Sequence, residues 1–378
     1  MNTGSKYSIL TIAAVVASCL FFSRPAYAFP PVNRSVPIPN GYKMSFDATG
    51  NNLWLTAGFS DVKRVNLGSM TVTGTANLVS FANNVLVISS QAVWATHASS
   101  ISIINTSTLT ATNVTVAGAA NLGQLAYDGT NVWVVDPTVG KVFKLNGANG
   151  TLIGSYGIAG NGIATPSSYM SIVASTPNVF VAYSKSGRNY ISKLARIDGS
   201  FVANVELTQP VGPPDSLILT SKLVQDGSDL FILAKAPLSN TMDSFMYRVD
   251  KSSLSSTPVN LGFVSHPEMI TVGQNNTILV IFDDRIAAYY SGNYSGFVDY
   301  PPGSTPYDTF IHPTQPTFYN LYSGTLSEYS FAAPNFDVQS PQITQSSANS
   351  VDFRWLVTQQ GLTDMAGFPV VQYGLTSP

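Results

Sequence analysis

Asp128-Gly129-Thr130-Asn131-Val132-Trp133-Val134 is the stretch that decides the fold. Asp-Gly is a tight-turn signal, and the residues after it alternate as a strand carrying a large aromatic side chain. Upstream, residues 123–127 read as an inner strand. Downstream, a loop at Asp136-Pro137-Thr138 leads to a half-exposed third strand at 141–145, Asn146-Gly147 turns, and residues 151–156 return as an outermost strand. Four strands and three short connections make one unit.

The unit recurs. Apolar-aromatic-apolar triplets, or close variants, are centred on Trp54, Trp94, Trp133, Phe180, Phe231, Leu279 and, more weakly, Phe318, at intervals of 40, 39, 47, 51, 48 and 39 residues. A four-stranded propeller blade needs about 40 to 50 residues, whereas most leucine-rich repeats run to about 20 to 29. A lone four-stranded sheet has two faces to bury and must stack on neighbours. An aromatic on each second strand fills the space between adjacent sheets, so these side chains are expected in the core. The expected fold is all-β: a seven-bladed beta-propeller of four-stranded blades over residues 29–340, with an open solenoid or a sandwich as the alternative architecture. The last blade takes its outer strand either from residues 335–339 or from the N-terminal stretch around 35–38, whose two prolines, Pro37 and Pro39, make it the poorer strand.

With Asp128 to Val134, the run Lys144-Leu145-Asn146-Gly147 and the run Gly150-Thr151-Leu152 resemble the repeat of bacterial YncE-like and virginiamycin B lyase-like beta-propellers. The resemblance spans residues 44–339 and is sharp only in the third unit. It implies a propeller, and little about activity, because such a repeat encodes blade packing. The lyases of that group are metal-dependent, but their catalytic motif has no residue-by-residue counterpart here.

Residues 1–28 read as a signal peptide. Lys6 precedes an apolar run from Ile9 to Phe22, and Ala26-Tyr27-Ala28 supplies the small residues of a cleavage site before Phe29. A lipoprotein signal ending at Cys19 is the alternative, opposed by the apolar Leu20-Phe21-Phe22 that would follow the lipid. The expected location is outside the cytoplasm: periplasmic, cell-surface or extracellular, with no transmembrane segment after cleavage. Cys19 is the only cysteine, so the mature chain is expected to hold no disulfide and no thiolate chemistry. It would carry sixteen bases and twenty acids, a net charge of −4. Charged residues make up only 10% of the chain, and no basic face exists to meet nucleic-acid phosphates.

After Pro341 the texture changes. Residues 351–357 alternate as a strand, and Gly367-Phe368-Pro369 through Tyr373-Gly374 follows a loop; the segment 341–378 is similar to the first half of a fibronectin type III domain. Half a sandwich has no core, so the natural chain is expected to continue beyond Pro378, the alternative being that this segment packs on the propeller.

Propellers gather ligands where the loops between second and third strands, and the links between blades, surround the central channel. The former are expected to carry His97, Asp136, Lys185, Arg188, Lys235, Asp243, Asp283 and Asp284, the latter Asp215, His266, Glu268, Tyr307 and Asp308. His312 falls on the opposite face. There is no Gly-x-Ser-x-Gly elbow, Walker loop or His-Glu-x-x-His motif. The leading expectation is a non-catalytic propeller that binds an extracellular protein or glycan and needs no cofactor. One rival is a metal-dependent lyase or hydrolase using His266, Glu268 and Asp283 with a divalent ion. Another is a structural spacer in a longer surface protein.

Overall fold

A computed structural model describes residues 32–159, 167, 169–208, 217–235, 244–261, 267–273, 277–282, 285–290, 293–299, 307–315, 317–330, 336–338, 342–347, 350–354 and 357–359. The described strands include seven antiparallel sheets built to one plan, arranged in a ring as a beta-propeller, and no helix occurs among the described residues. Blade 1 consists of Met44–Phe46, Asn52–Ala57, Asp61–Asn66 and Thr71–Asn77, hydrogen-bonded in that order from the channel outward. Blades 2, 3, 4, 5 and 6 follow over residues 84–115, 125–157, 170–206, 218–260 and 267–299. Contacts divide the chain after Tyr329. In the C-terminal unit, Phe336–Val338 pairs with Val357–Gln359 and Gln342–Ser347 with Ser350–Arg354. Residues 1–28, expected to be a signal peptide, and residues 367–374 lie outside the described residues.

Blade 7 settles how the ring closes. Its first three strands are Asp308–Ile311, Thr317–Tyr322 and Thr325–Ser330, and its outermost strand is the N-terminal Val32–Pro37. The proline-bearing stretch therefore wins over residues 335–339, for a reason of hydrogen-bond phase. The Ile38 amide donates to Gly324 O, so the nitrogen of Pro37, one residue earlier, falls on the unpaired outer edge where no donor is needed. Val36 and Ile38 are buried in one cluster with Leu53, Leu55, Leu321 and Leu326, joining the first and last blades.

The predicted spacers are where the repeat places them: Trp54, Trp94, Trp133, Phe180, Phe231, Leu279 and Phe318 are all buried. In blade 3 the turn fixes the aromatic directly. Asp128 accepts the amides of Thr130 and Asn131 on one carboxylate oxygen and the Trp133 indole N–H, at 2.8 Å, on the other. Gly129 supplies the left-handed φ of 91° that the turn requires. Burial alone would favour the neutral acid, but these hydrogen bonds outweigh it and hold the Asp128 carboxyl below its ordinary range.

The third strand of blade 3, Lys141–Asn146, is largely buried rather than half-exposed. Lys144 explains the difference. It lies opposite Trp133 in the ladder, with its ammonium 4.9 Å from the indole centre, and donates at 2.8 Å to the carbonyls of both Arg196 and Ile197 in blade 4. Two other blades repeat the device. Arg64 stands over Trp54 and donates to Thr106 O of blade 2, and Lys193 stands over Phe180 and donates to Lys251 O of blade 5. A cation facing the spacer aromatic therefore ties each of these blades to the next, combining cation–π attraction with hydrogen bonds to turn carbonyls.

Candidate functional site

Antiparallel order puts the loops between second and third strands and the links between blades on one end of the ring, here called the upper face. The innermost strands of all seven blades line a central channel of about 500 Å³. Side chains on these strands also stitch neighbouring blades together. Ser45 Oγ accepts the Val87 amide, Gln124 Oε1 accepts the Ile172 amide and the Ser171 hydroxyl, and Ser171 Oγ accepts the Leu223 amide.

Several residues expected on the upper face are there but already engaged. His97 is buried: its Nδ1 lies 2.9 Å from Phe81 O and 3.1 Å from Ser80 Oγ, and its Nε2 2.7 Å from Ser102 Oγ. Asp136 is fully buried, with Oδ2 accepting the amides of Ala120 and Asn121 from the incoming link and Oδ1 those of Thr138 and Val139. Lys185 and Arg188 flank the exposed hairpin of blade 4, where Arg188 pairs with Glu206 at 3.4 Å. Lys235 of blade 5 pairs with Glu268 of blade 6 at 3.3 Å. Asp215, Asp243, His266, Asp283 and Asp284 lie outside the described residues, and with them most of the metal-binding alternative. On the lower face His312 is buried against Gly50 O and accepts the amides of Thr314 and Gln315, a structural role.

The structure brings Tyr307 and Asp308 together with residues that sequence reasoning did not single out. Tyr42, on the link from blade 7 to blade 1, lies 6.4 Å from Phe81, on the link from blade 1 to blade 2, and 6.3 Å from Tyr307, on the link into blade 7, measured between ring centres. These rings are 41%, 48% and 47% exposed, so three links in succession present one open aromatic surface. Phe59 and Val79, more exposed still, belong to the adjoining loop and link of blade 1. Lys43 stands over the Tyr42 ring at 4.6 Å and donates to Tyr307 O. The available signal was an aromatic in each of these three links, which strand-pattern reading passes over because links have no period.

Asp308 points inward. It is buried, accepts the Met44 amide of blade 1 at 3.0 Å and the Thr309 amide at 3.1 Å, and sits 3.5 Å from the ammonium of Lys222 in blade 5.

No protein family known by sequence matches the chain, and no curated protein does. Solved structures do resemble it. The hydrazine synthase of Kuenenia stuttgartiensis is 12% identical, with a TM-score of 0.65 over 79% of this chain and 98% of that one. The Cps50 (Swd1) beta-propeller domain of Myceliophteria thermophila is 9% identical, with a TM-score of 0.63 over 80% and 100%. The Pan2 WD40 domain of Neurospora crassa is 9% identical, with a TM-score of 0.61 over 80% and 97%. At such identities the likeness concerns the fold alone.

Proposed function

We propose that this protein is an exported, non-catalytic propeller that binds an extracellular protein or glycan through its upper face, at the cell surface or in the periplasm. The observation that carries this reading is the exposed aromatic surface of Tyr42, Phe81 and Tyr307. Rings held on short links over a rigid ring lose little side-chain freedom on contact, and they offer flat apolar faces both to sugar rings and to a partner's side chains. A contiguous apolar patch is uncommon on a soluble surface without a partner. Export rests on the features of residues 1–28. The likeness of the third unit to YncE-like repeats, and of residues 341–378 to part of a fibronectin type III domain, accords with a modular envelope protein. No cofactor is needed for such a role.

The test is binding of the mature protein to arrays of purified cell-wall glycans and extracellular proteins, with the variant Tyr42→Ser/Phe81→Ser/Tyr307→Ser alongside. The variant is expected to lose at least about tenfold in affinity for whatever the wild type retains, about 1.4 kcal/mol. Equal binding by both would contradict the reading.

A further inference from the structure

The open rings of the upper face surround an ammonium. Lys43 follows Tyr42 on the link from blade 7 to blade 1 and is half-buried, with Nζ 4.6 Å from the centre of the Tyr42 ring and 3.4 Å from Tyr307 O. That long contact is open to solvent and occupies one of the three N–H donors, so the others remain for a ligand. Among the described residues, the ion pairs join Arg34 to Glu328, Arg188 to Glu206, Lys222 to Asp308, Lys235 to Glu268 and Arg248 to Asp229, and none includes Lys43. Asp308 faces away, engaged by Lys222 and by the amides of Met44 and Thr309. Asp61 begins the third strand of blade 1, two strands outward from Lys43. The aromatic surface therefore carries a cation with no carboxylate to answer it.

The links that hold the rings have little backbone to offer. The amides of Tyr42, Leu78, Asn83 and Tyr307 donate to Thr56 O, Ser60 O, Thr96 O and Leu321 O, all within the fold. An extended peptide that docks by pairing its backbone with a strand edge finds no free amide at these positions. What the surface presents is side chains: aromatic faces and one ammonium. An acidic sugar matches both. Its C–H faces pack on aromatic rings, and its carboxylate takes a charge-assisted hydrogen bond. In a uronate the carboxylate is one bond from the sugar ring. A sugar seated on Phe81 or Tyr307, whose ring centres lie 6.4 Å and 6.3 Å from that of Tyr42, therefore has its carboxylate within reach of the ammonium over Tyr42. The surface continues outward to Phe59 and Val79, which gives a saccharide chain more to cover than a single sugar.

We propose that the ligand of the upper face is an acidic glycan, a saccharide chain bearing uronate-type carboxylates. Its sugar rings pack on Phe81 and Tyr307, and a carboxylate accepts a hydrogen bond from Lys43. This deepens the function proposed above and rests on it.

The experiment is calorimetric titration of the mature protein with tetrasaccharides of galacturonate and of mannuronate, each beside its methyl ester, which keeps the sugar rings and removes the charge. Monomeric galacturonate is titrated in parallel. At least one acidic tetrasaccharide is expected to bind with a dissociation constant of about 1 mM or tighter, its ester at least about tenfold more weakly, and the monomer more weakly than the chain. Lys43→Met should weaken binding of the acid about fivefold and leave the ester unchanged, and Lys43→Arg should stay within about threefold of the wild type. A thermal melt of each variant accompanies its titration. If Lys43→Met does not fold, the comparison of acid with ester on the wild type decides. No binding of either acidic tetrasaccharide, equal binding of acid and ester, or unchanged affinity in folded Lys43→Met would overturn the proposal. The broader reading fails separately. If a neutral glycan or a protein is retained on the arrays and is lost in Tyr42→Ser/Phe81→Ser/Tyr307→Ser but not in Lys43→Met, the acidic glycan falls and the binding face stands.

Discussion

Arg34 and Glu328, 294 positions apart, meet in a two-point ion pair across the seam where the ring closes: Nε to Oε1 at 3.1 Å and Nη2 to Oε2 at 2.5 Å. The Tyr319 hydroxyl donates to the same carboxylate at 2.8 Å, so the acid serves both the N-terminal strand and the second strand of its own blade. The first and last strands of the propeller, which would otherwise fray, are thereby fastened to each other.

The latch is expected to be worth more from one side than the other. Arg34 is partly exposed, so Arg34→Met should cost about 1 kcal/mol. Glu328 is buried, and Glu328→Ala leaves both the guanidinium and the tyrosine hydroxyl short of an acceptor, at a cost of about 2–3 kcal/mol. Urea unfolding midpoints check both values; no loss in either variant would mean the seam is held by apolar contacts alone.

Acid should open the same seam. Burial on its own would raise the Glu328 carboxyl, but the bonds from Arg34 and Tyr319 outweigh it and hold the group below its ordinary value of 4.5. A depressed folded-state value means that the stabilisation is complete above about pH 4.5 and is lost as pH falls through the folded-state value. Stability measured from pH 6 downward, about one unit at a time, should therefore fall below that point, and fall less steeply in Arg34→Met.

Lys144 tests whether blades are tied by the cation that faces the spacer aromatic in blades 1, 3 and 4. Lys144→Met keeps the stem over Trp133 and removes the two hydrogen bonds to blade 4, so a loss of about 1–3 kcal/mol is expected. Trp133→Ala should cost about 3–5 kcal/mol through the cavity it leaves. Thermal melts of the two variants measure the difference, and a neutral Lys144→Met would refute the tie.

Asp136 separates a loop acid that waits for a ligand from one that builds the loop. It accepts four backbone amides, and Asp136→Ala should destabilise the protein by about 2–3 kcal/mol, measurable by denaturant titration. A stable Asp136→Ala variant would return the carboxylate to the list of groups available for binding.

These residues also show how far the sequence could be read. Trp133 was legible because Asp128-Gly129 announces a turn and the aromatic follows at a fixed spacing; the repeat then gave the blade number and the four-strand plan. Pro37 was weighed on strand propensity, which counts a missing donor as a defect and does not know on which edge the nitrogen falls. Asp136 and His97 could be assigned to loops, but the Ala120 and Asn121 amides that meet Asp136, and the Ser80 and Ser102 hydroxyls that meet His97, come from residues 5 to 17 positions away in arrangements that only folding defines. Lys222 was least legible. Its ion pair with Asp308 depends on a break in the inner strand of blade 5 and on a residue two blades further round the ring, and neither leaves a mark in local periodicity.

The most direct test of a binding upper face is a map of amide hydrogen exchange on the mature protein, with and without a ligand retained on the arrays. Protection is expected over the links at residues 38–43 and 78–83 and at Tyr307, with the lower-face turns at 67–70, 106–110 and 147–151 unchanged. Protection confined to those lower-face turns, with the Tyr42, Phe81 and Tyr307 segments exchanging as in the free protein, would contradict the account.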